Sequence, residues 1–195
     1  MGSLLQAEVE IRGVRAMLWH AFTEESIPLE KKEKEGVAGN SPNEWRATVL
    51  TTADRQLYVP ASYIFACVRD GSKNIKKGRG SIQASVAATL QVREEIVLID
   101  RFLPEGDPPR DPMQPVFLDV RGVKNPATKS RNLRYRIAAS PGWQASFTLL
   151  WDKTVVSRGE LEAATHDAGM LSGLGDGRSI GFGRFDVLKF QVTDA

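Results

Sequence analysis

Residues 173–185, GLGDGRSIGFGRF, carry five glycines and two arginines between a stretch with helical spacing and one rich in Phe and Val. The helical stretch opens at Ser157, which with Glu160 three residues on forms a capping-box signature, and Leu161, Ala164, Ala168 and Leu171 follow at helical spacing. His166 falls late in this helix, where a cation suits the C-terminal end of the dipole. After the loop, FGRFDVLKFQV reads as a terminal strand, apolar on both phases and so expected at the centre of its sheet.

Upstream, AEVEIRG sets Ala7, Val9 and Ile11 against Glu8, Glu10 and Arg12, the alternation of a half-buried strand. EWRATVL and RQLYV read as short strands. Pro60 then opens PASYIFACVRDG, a helix of about ten residues on ordinary lengths, with Ile64, Cys67 and Val68 on one face and Gly71 as its stop. Ile96 to Ile99 reads as a strand buried on both faces, and EGDPPRDPMQP as a proline-rich loop. NLRYRIA and ASFTLLW both alternate, and SPG between them predicts a hairpin. Strand, helix, strand, strand, helix, strand is the α+β ferredoxin-like (RRM-like) split β-α-β order, an antiparallel sheet with two helices on one face. On its open face Arg134 and Arg136 would point away from Leu133, Tyr135 and Ile137.

Composition sets the limits. The chain has 195 residues, 42% hydrophobic, and one domain over 1–195 is expected, with insertions at 23–44 and 100–132. No run approaches the roughly 18 apolar residues of a membrane helix, so a cytoplasmic protein without a membrane partner is expected. Cys67 is the sole cysteine and the histidines are two, which excludes an internal disulfide and argues against a metal centre; no cofactor is expected. The formal net charge is only +2, yet 71–93 and 120–151 hold no acid. The acids gather elsewhere, as in TEESIPLEKKEKEG, which reads as a solvated loop. A nearly neutral chain can therefore present a basic face.

Helix, GLGDGRSIGFGRF, strand resembles the glycine-rich signature of the repeat-associated mysterious proteins, the RNA-binding superfamily of CRISPR effector complexes and guide-processing enzymes. LYVPASYIFACVRDG resembles the superfamily's segment leading into the first helix, with Tyr58, Val59, Pro60, Ala61 and Ser62 in the matching places and alanine at 61 where glycine is usual. The likeness is greatest to the effector backbone subunits. It implies a single-stranded nucleic-acid binder, RNA before single-stranded DNA, acting as a homo-oligomer or as one subunit of a multi-protein ribonucleoprotein complex.

On that basis Gly175, Gly177, Gly181 and Gly183 are expected to cradle a sugar-phosphate chain that Arg178 and Arg184 neutralise, beside Ser62. Tight packing against the first helix is the plainer use of the same glycines. Lys73, Lys76, Lys77 and Arg79 follow the first helix and are expected to reach phosphates; Lys129, Arg131, Arg134 and Arg136 form the base of a basic hairpin. Trp143, in the expected hairpin turn, is the candidate for stacking on a base. His20 stands just past the first strand, where guide-processing members of the superfamily place a general acid or base. A metal-independent endoribonuclease using His20 is thus one alternative, and a protein-interaction subunit that lost its ligand is another.

Overall fold

The computed structural model describes residues 3–24, 41–124, 129 and 131–195. Most of the expected charged loop, residues 25–40, and part of the expected basic segment, residues 125–128 and 130, lie outside them. In chain order the strands and helices are β1 (Leu4–Gly13), β2 (Met17–Leu18), α1 (Glu44–Thr48), β3 (Gln56–Pro60), α2 (Ala61–Gly71), β4 (Lys76–Lys77), β5 (Gly80–Ser81), α3 (Gln83–Thr89), β6 (Gln91–Val92), β7 (Ile96–Phe102), β8 (Val116–Lys124), β9 (Arg131–Ala139), β10 (Gln144–Asp152), α4 (Arg158–Asp167) and β11 (Phe185–Asp194). The fold is α+β.

The main sheet runs β11-β1-β10-β7-β3, with the short β6 beside β10, and its paired strands are antiparallel. β1 and β7 both run against β10, which lies between them, and β3 adds an edge strand beyond β7. This antiparallel sheet, with helices packed against it, is consistent with the expected ferredoxin-like fold. The alternation in β1 does what it promised: Ala7, Val9 and Ile11 are buried and Glu8, Glu10 and Arg12 exposed. They join Val97, Ile99, Phe147, Leu149 and Trp151, together with Ile64, Cys67 and Val68 of α2 and Leu161 and Ala164 of α4, in one core. The helix before the glycine loop carries the expected capping box, Ser157 with Glu160.

Five expectations need correction. EWRAT is helical, as α1, and not a strand. β7 alternates instead of being buried on both faces: Val97 and Ile99 point inward while Ile96 and Leu98 are exposed. β11 is an edge strand, so its second apolar phase leaves Leu188 about half exposed. NLRYRIA and ASFTLLW do not pair: β9 belongs to a second sheet, β2-β9-β8, and aligns with β8 from Val116↔Ala139 to Lys124↔Arg131. Past Ser140 the chain leaves that sheet for the first, where the Gly13 amide donates to the Trp143 carbonyl and the Gly142 amide donates to the Gly13 carbonyl. Finally, the open face of the main sheet holds Glu8 and Glu10, with Lys189 Nζ 3.0 and 3.4 Å from them, and not Arg134 and Arg136.

The second sheet positions the glycine loop. Along β9, Ile137 and Ala139 enter the main core, whereas Ala138 packs on the opposite side with Leu18, Phe117 and Phe182. Phe182 belongs to the loop, so the loop lies on the second sheet. Arg134 and Arg136 share Ala138's side of β9 and turn toward the loop.

Candidate nucleic-acid interface

The loop is pinned by its own backbone. The Asp176 amide donates to Leu18 O at 2.8 Å, the Gly183 amide to Ala16 O at 2.8 Å, and the Leu174 amide to Gly183 O at 2.9 Å. Gly183 (φ +68°) has no room for a side chain, since a Cβ would stand 1.8 Å from Leu174 O; Gly181 (φ +93°) faces open space. Of these two glycines, only Gly183 is closed to a side chain by its neighbours. The Gly181 amide donates to Arg178 O at 3.1 Å, so at 181 and 183 the backbone donors are already engaged within the chain.

Ion pairs fix the rest. Arg136, only 4% exposed, donates from Nη1 to Asp176 at 2.6 Å and from Nη2 to Asp119 at 3.2 Å. Arg121 also pairs with Asp119 and stacks over Phe182, 4.5 Å from the ring centre. A buried arginine thus ties the loop to β8 and β9. Arg136 was expected on an exposed face; two carboxylates distant in sequence make its burial affordable.

Above this network lies a groove of about 970 Å³ between the loop, the end of α2 with the turn after it, and β9. It collects Lys73, Arg134, Arg136, Arg178 and Arg184 against two lining acids, Asp70 and Asp176. Asp70 is shared: Lys73 Nζ lies 3.0 Å and Arg178 3.6 Å from it. Arg134 pairs with Glu44 at 2.6 Å, and Arg184 donates to Arg178 O at 3.3 Å while its Nη1 has no partner among the described residues. Burial works to raise the Asp70 and Asp176 carboxyls, but Lys73 and Arg69 at the first, and Arg136 and the Gly177 amide at the second, outweigh it and hold both below the ordinary range.

His20 reaches the groove as well. Nε2 is 3.8 Å from Glu44, and Nδ1 is buried with no partner among the described residues. Burial lowers its pKa, opposed by Glu44 and aided by Arg134, so the imidazole is neutral at neutral pH. A second pocket of about 410 Å³, which contains Ser62 and Tyr63, shares His20, Gly175, Asp176 and Arg178 with the groove. Among the described residues, no three His, Cys, Asp or Glu cluster as a metal site would require. None of those residues forms a helix long and apolar enough to cross a membrane.

Of the residues singled out in the sequence, Lys73, Arg134, Arg136, Gly175, Gly177, Arg178, Arg184 and His20 converge on the groove, and Ser62 on its neighbour. Lys76, Lys77 and Arg79 do not line it. They occupy the β4–β5 hairpin, whose Lys77 lies 3.8 Å from Glu160 and donates to Val155 O at 3.4 Å. Arg131 sits at the far end of the β8–β9 ladder, opposite Lys124, and Lys129 lies outside the ladder; neither lines the groove. Trp143 is fully buried, with its indole N–H donating to Arg15 O at 2.9 Å, so it cannot stack on a base. Asp176, Tyr63, Glu44 and Asp119 were not picked out. Asp176 was visible inside the quoted loop, but a lone acid among glycines carries no signal until its partner Arg136 is known.

No family model and no curated protein matches the chain. A chain in the cryo-EM structure of the Type III-B Cmr-beta bound to cognate target RNA is similar over 98% of this chain, with 16% identity and a TM-score of 0.49. This chain spans 61% of the length of that one.

Proposed function

We propose that this protein binds single-stranded nucleic acid, RNA in preference to DNA, by laying the sugar-phosphate backbone along the groove beneath the glycine loop. The observation that carries the reading is the convergence, from three separate segments of sequence, of five basic side chains and two acidic ones on one opening. Phosphate oxygens would take Lys73, Arg134, Arg178 and Arg184, the partly exposed cations, while Arg136 stays in its internal pairs as a positioning residue. The preference for RNA, and a role as one subunit within a larger ribonucleoprotein, rest on the resemblance of GLGDGRSIGFGRF and YVPAS to the superfamily of repeat-associated mysterious proteins. Lys76, Lys77 and Arg79 would add only peripheral, screened attraction.

Fluorescence anisotropy with a labelled, unstructured RNA 30-mer tests this. Arg178→Ala and Lys73→Ala should each weaken binding severalfold and reduce the salt slope by about one phosphate's worth, with little change in melting temperature. If Lys73→Ala, Arg134→Ala and Arg178→Ala all bind like wild type, the groove is not the site.

A second reading has one observation in its favour: a neutral imidazole, His20, borders both openings. It could take a proton from a 2′-hydroxyl. Gel analysis of RNA incubated with wild type and His20→Ala, with and without chelator, separates binding from cleavage. Cleavage by wild type that is absent in a binding-competent His20→Ala variant would establish the nuclease.

A further inference from the structure

The smaller pocket lies beside the groove and shares Asp176 and Arg178 with it. Its volume, about 410 Å³, falls within the range of small-ligand sites. Ala66, Leu174 and the half-buried Tyr63 give it apolar walls, and its charged groups are one carboxylate and one guanidinium. Asp176 spends part of its acceptor capacity on Arg136 and the Gly177 amide, which leaves lone pairs of the roughly four a carboxylate offers. Arg178 has only a long contact, 3.6 Å, with Asp70, and its side chain is 40% exposed.

We propose that this pocket receives one unstacked base of the strand whose backbone lies in the groove, and that the base is guanine. The inference rests on the strand-binding reading above. Guanine alone sets an imino and an amino donor side by side, which suits the Asp176 carboxylate, while Arg178, shared with the groove, keeps to the adjoining phosphate. Uracil turns two carbonyl oxygens toward any group that approaches its single imino donor, so Asp176 repels it. Adenine and cytosine place an unprotonated ring nitrogen beside their amino group, again facing the carboxylate. Tyr63 and Leu174 supply apolar surface for the ring, as stacking platforms do elsewhere.

The test uses the whole chain and four RNA 12-mers: oligouridylate, and the same strand with one central guanine, adenine or cytosine. Wild type should bind the guanine 12-mer about tenfold more tightly than oligouridylate. Ala66→Leu, which fills the pocket from α2, should abolish that preference while binding oligouridylate within about twofold of wild type; Asp176→Asn, which keeps the shape and removes the anion, should abolish it too, read as the ratio of guanine-strand to oligouridylate binding within that variant. Equal binding of all four strands by wild type overturns the guanine pocket and leaves the strand-binding reading standing. A preference for another base, or a guanine preference that survives both variants, also overturns it. Failure to bind any of the four overturns the strand-binding reading itself, and this inference with it.

Discussion

Gly183→Ala probes how rigidly the glycine loop is held. The added Cβ would stand 1.8 Å from Leu174 O, a backbone atom, where ordinary contact begins near 3.4 Å. Relief requires the Leu174 backbone to move by more than an ångström. That movement weakens two hydrogen bonds, from the Leu174 amide to Gly183 O at 2.9 Å and from the Gly183 amide to Ala16 O at 2.8 Å. A Cβ in left-handed backbone costs about 1–2 kcal/mol, and each lost hydrogen bond about 1 kcal/mol net, for a total of about 3–4 kcal/mol. At about 2–4 °C per kcal/mol for a chain of this size, the melting temperature falls by about 10 °C. Gly181→Ala is the matched control: φ is +93° but nothing lies within 4 Å, so only the backbone strain applies and the fall is about 2–8 °C. Differential scanning calorimetry on both variants decides the matter. A Gly183→Ala protein that melts within about 2 °C of wild type, or a Gly181→Ala protein destabilised as much as Gly183→Ala, would refute the reasoning.

Three further outcomes follow from the buried polar groups. Arg136→Met leaves the Asp119 and Asp176 carboxylates without their shared cation and should cost about 3 kcal/mol in a thermal or urea melt; an unchanged midpoint would mean that the loop is not anchored through this pair. Trp143→Phe removes the indole hydrogen bond to Arg15 O and some core volume, so it should cost about 2 kcal/mol while RNA affinity, measured on the folded fraction, stays at the wild-type value; a selective loss of RNA binding would contradict its burial. His20 has a folded pKa below its ordinary 6.5, so as pH falls the unfolded chain takes up the proton first. Its contribution to stability is therefore complete above about pH 6.5 and is lost as pH drops through and below that value; His20→Asn should flatten the melting temperature between about pH 7 and pH 5, and an NMR titration of His20 above 6.5 would reverse the sign.

Local signals in the sequence were read correctly wherever short-range physics dominates. Pro60 opens α2, Ser157 and Glu160 cap α4, and β1 alternates as its letters do. The glycine loop stood out because Gly175, Gly177, Gly181 and Gly183 all take positive φ, a requirement that composition exposes directly. Failures came where distant partners decide. β9 and β10 look like a hairpin, but β8, separated from β9 by few residues, matches β9 over its whole length, and Gly13 captures the chain at Trp143. α1 has five residues, too few for its period to show against the alternation of EWRATVL. Arg136 is charged and was expected outside; it is buried because Asp119 and Asp176 lie 17 and 40 residues away in sequence and beside it in space. For the same reason the cations of the groove were legible one by one, whereas the acids that hold them in place were not.

The most direct measurement is the salt dependence of RNA binding by the intact chain. If Lys73, Arg134, Arg178 and Arg184 meet phosphates, the logarithm of the association constant for a labelled 30-mer should fall linearly with the logarithm of salt concentration, with a slope of about −2 to −3, as expected for roughly four neutralised phosphates on a single strand. Arg178→Ala should make that slope shallower by about 0.7. No binding at low salt, or binding whose strength does not change with salt, would contradict the proposal that the glycine loop and its cations grip a nucleic-acid backbone.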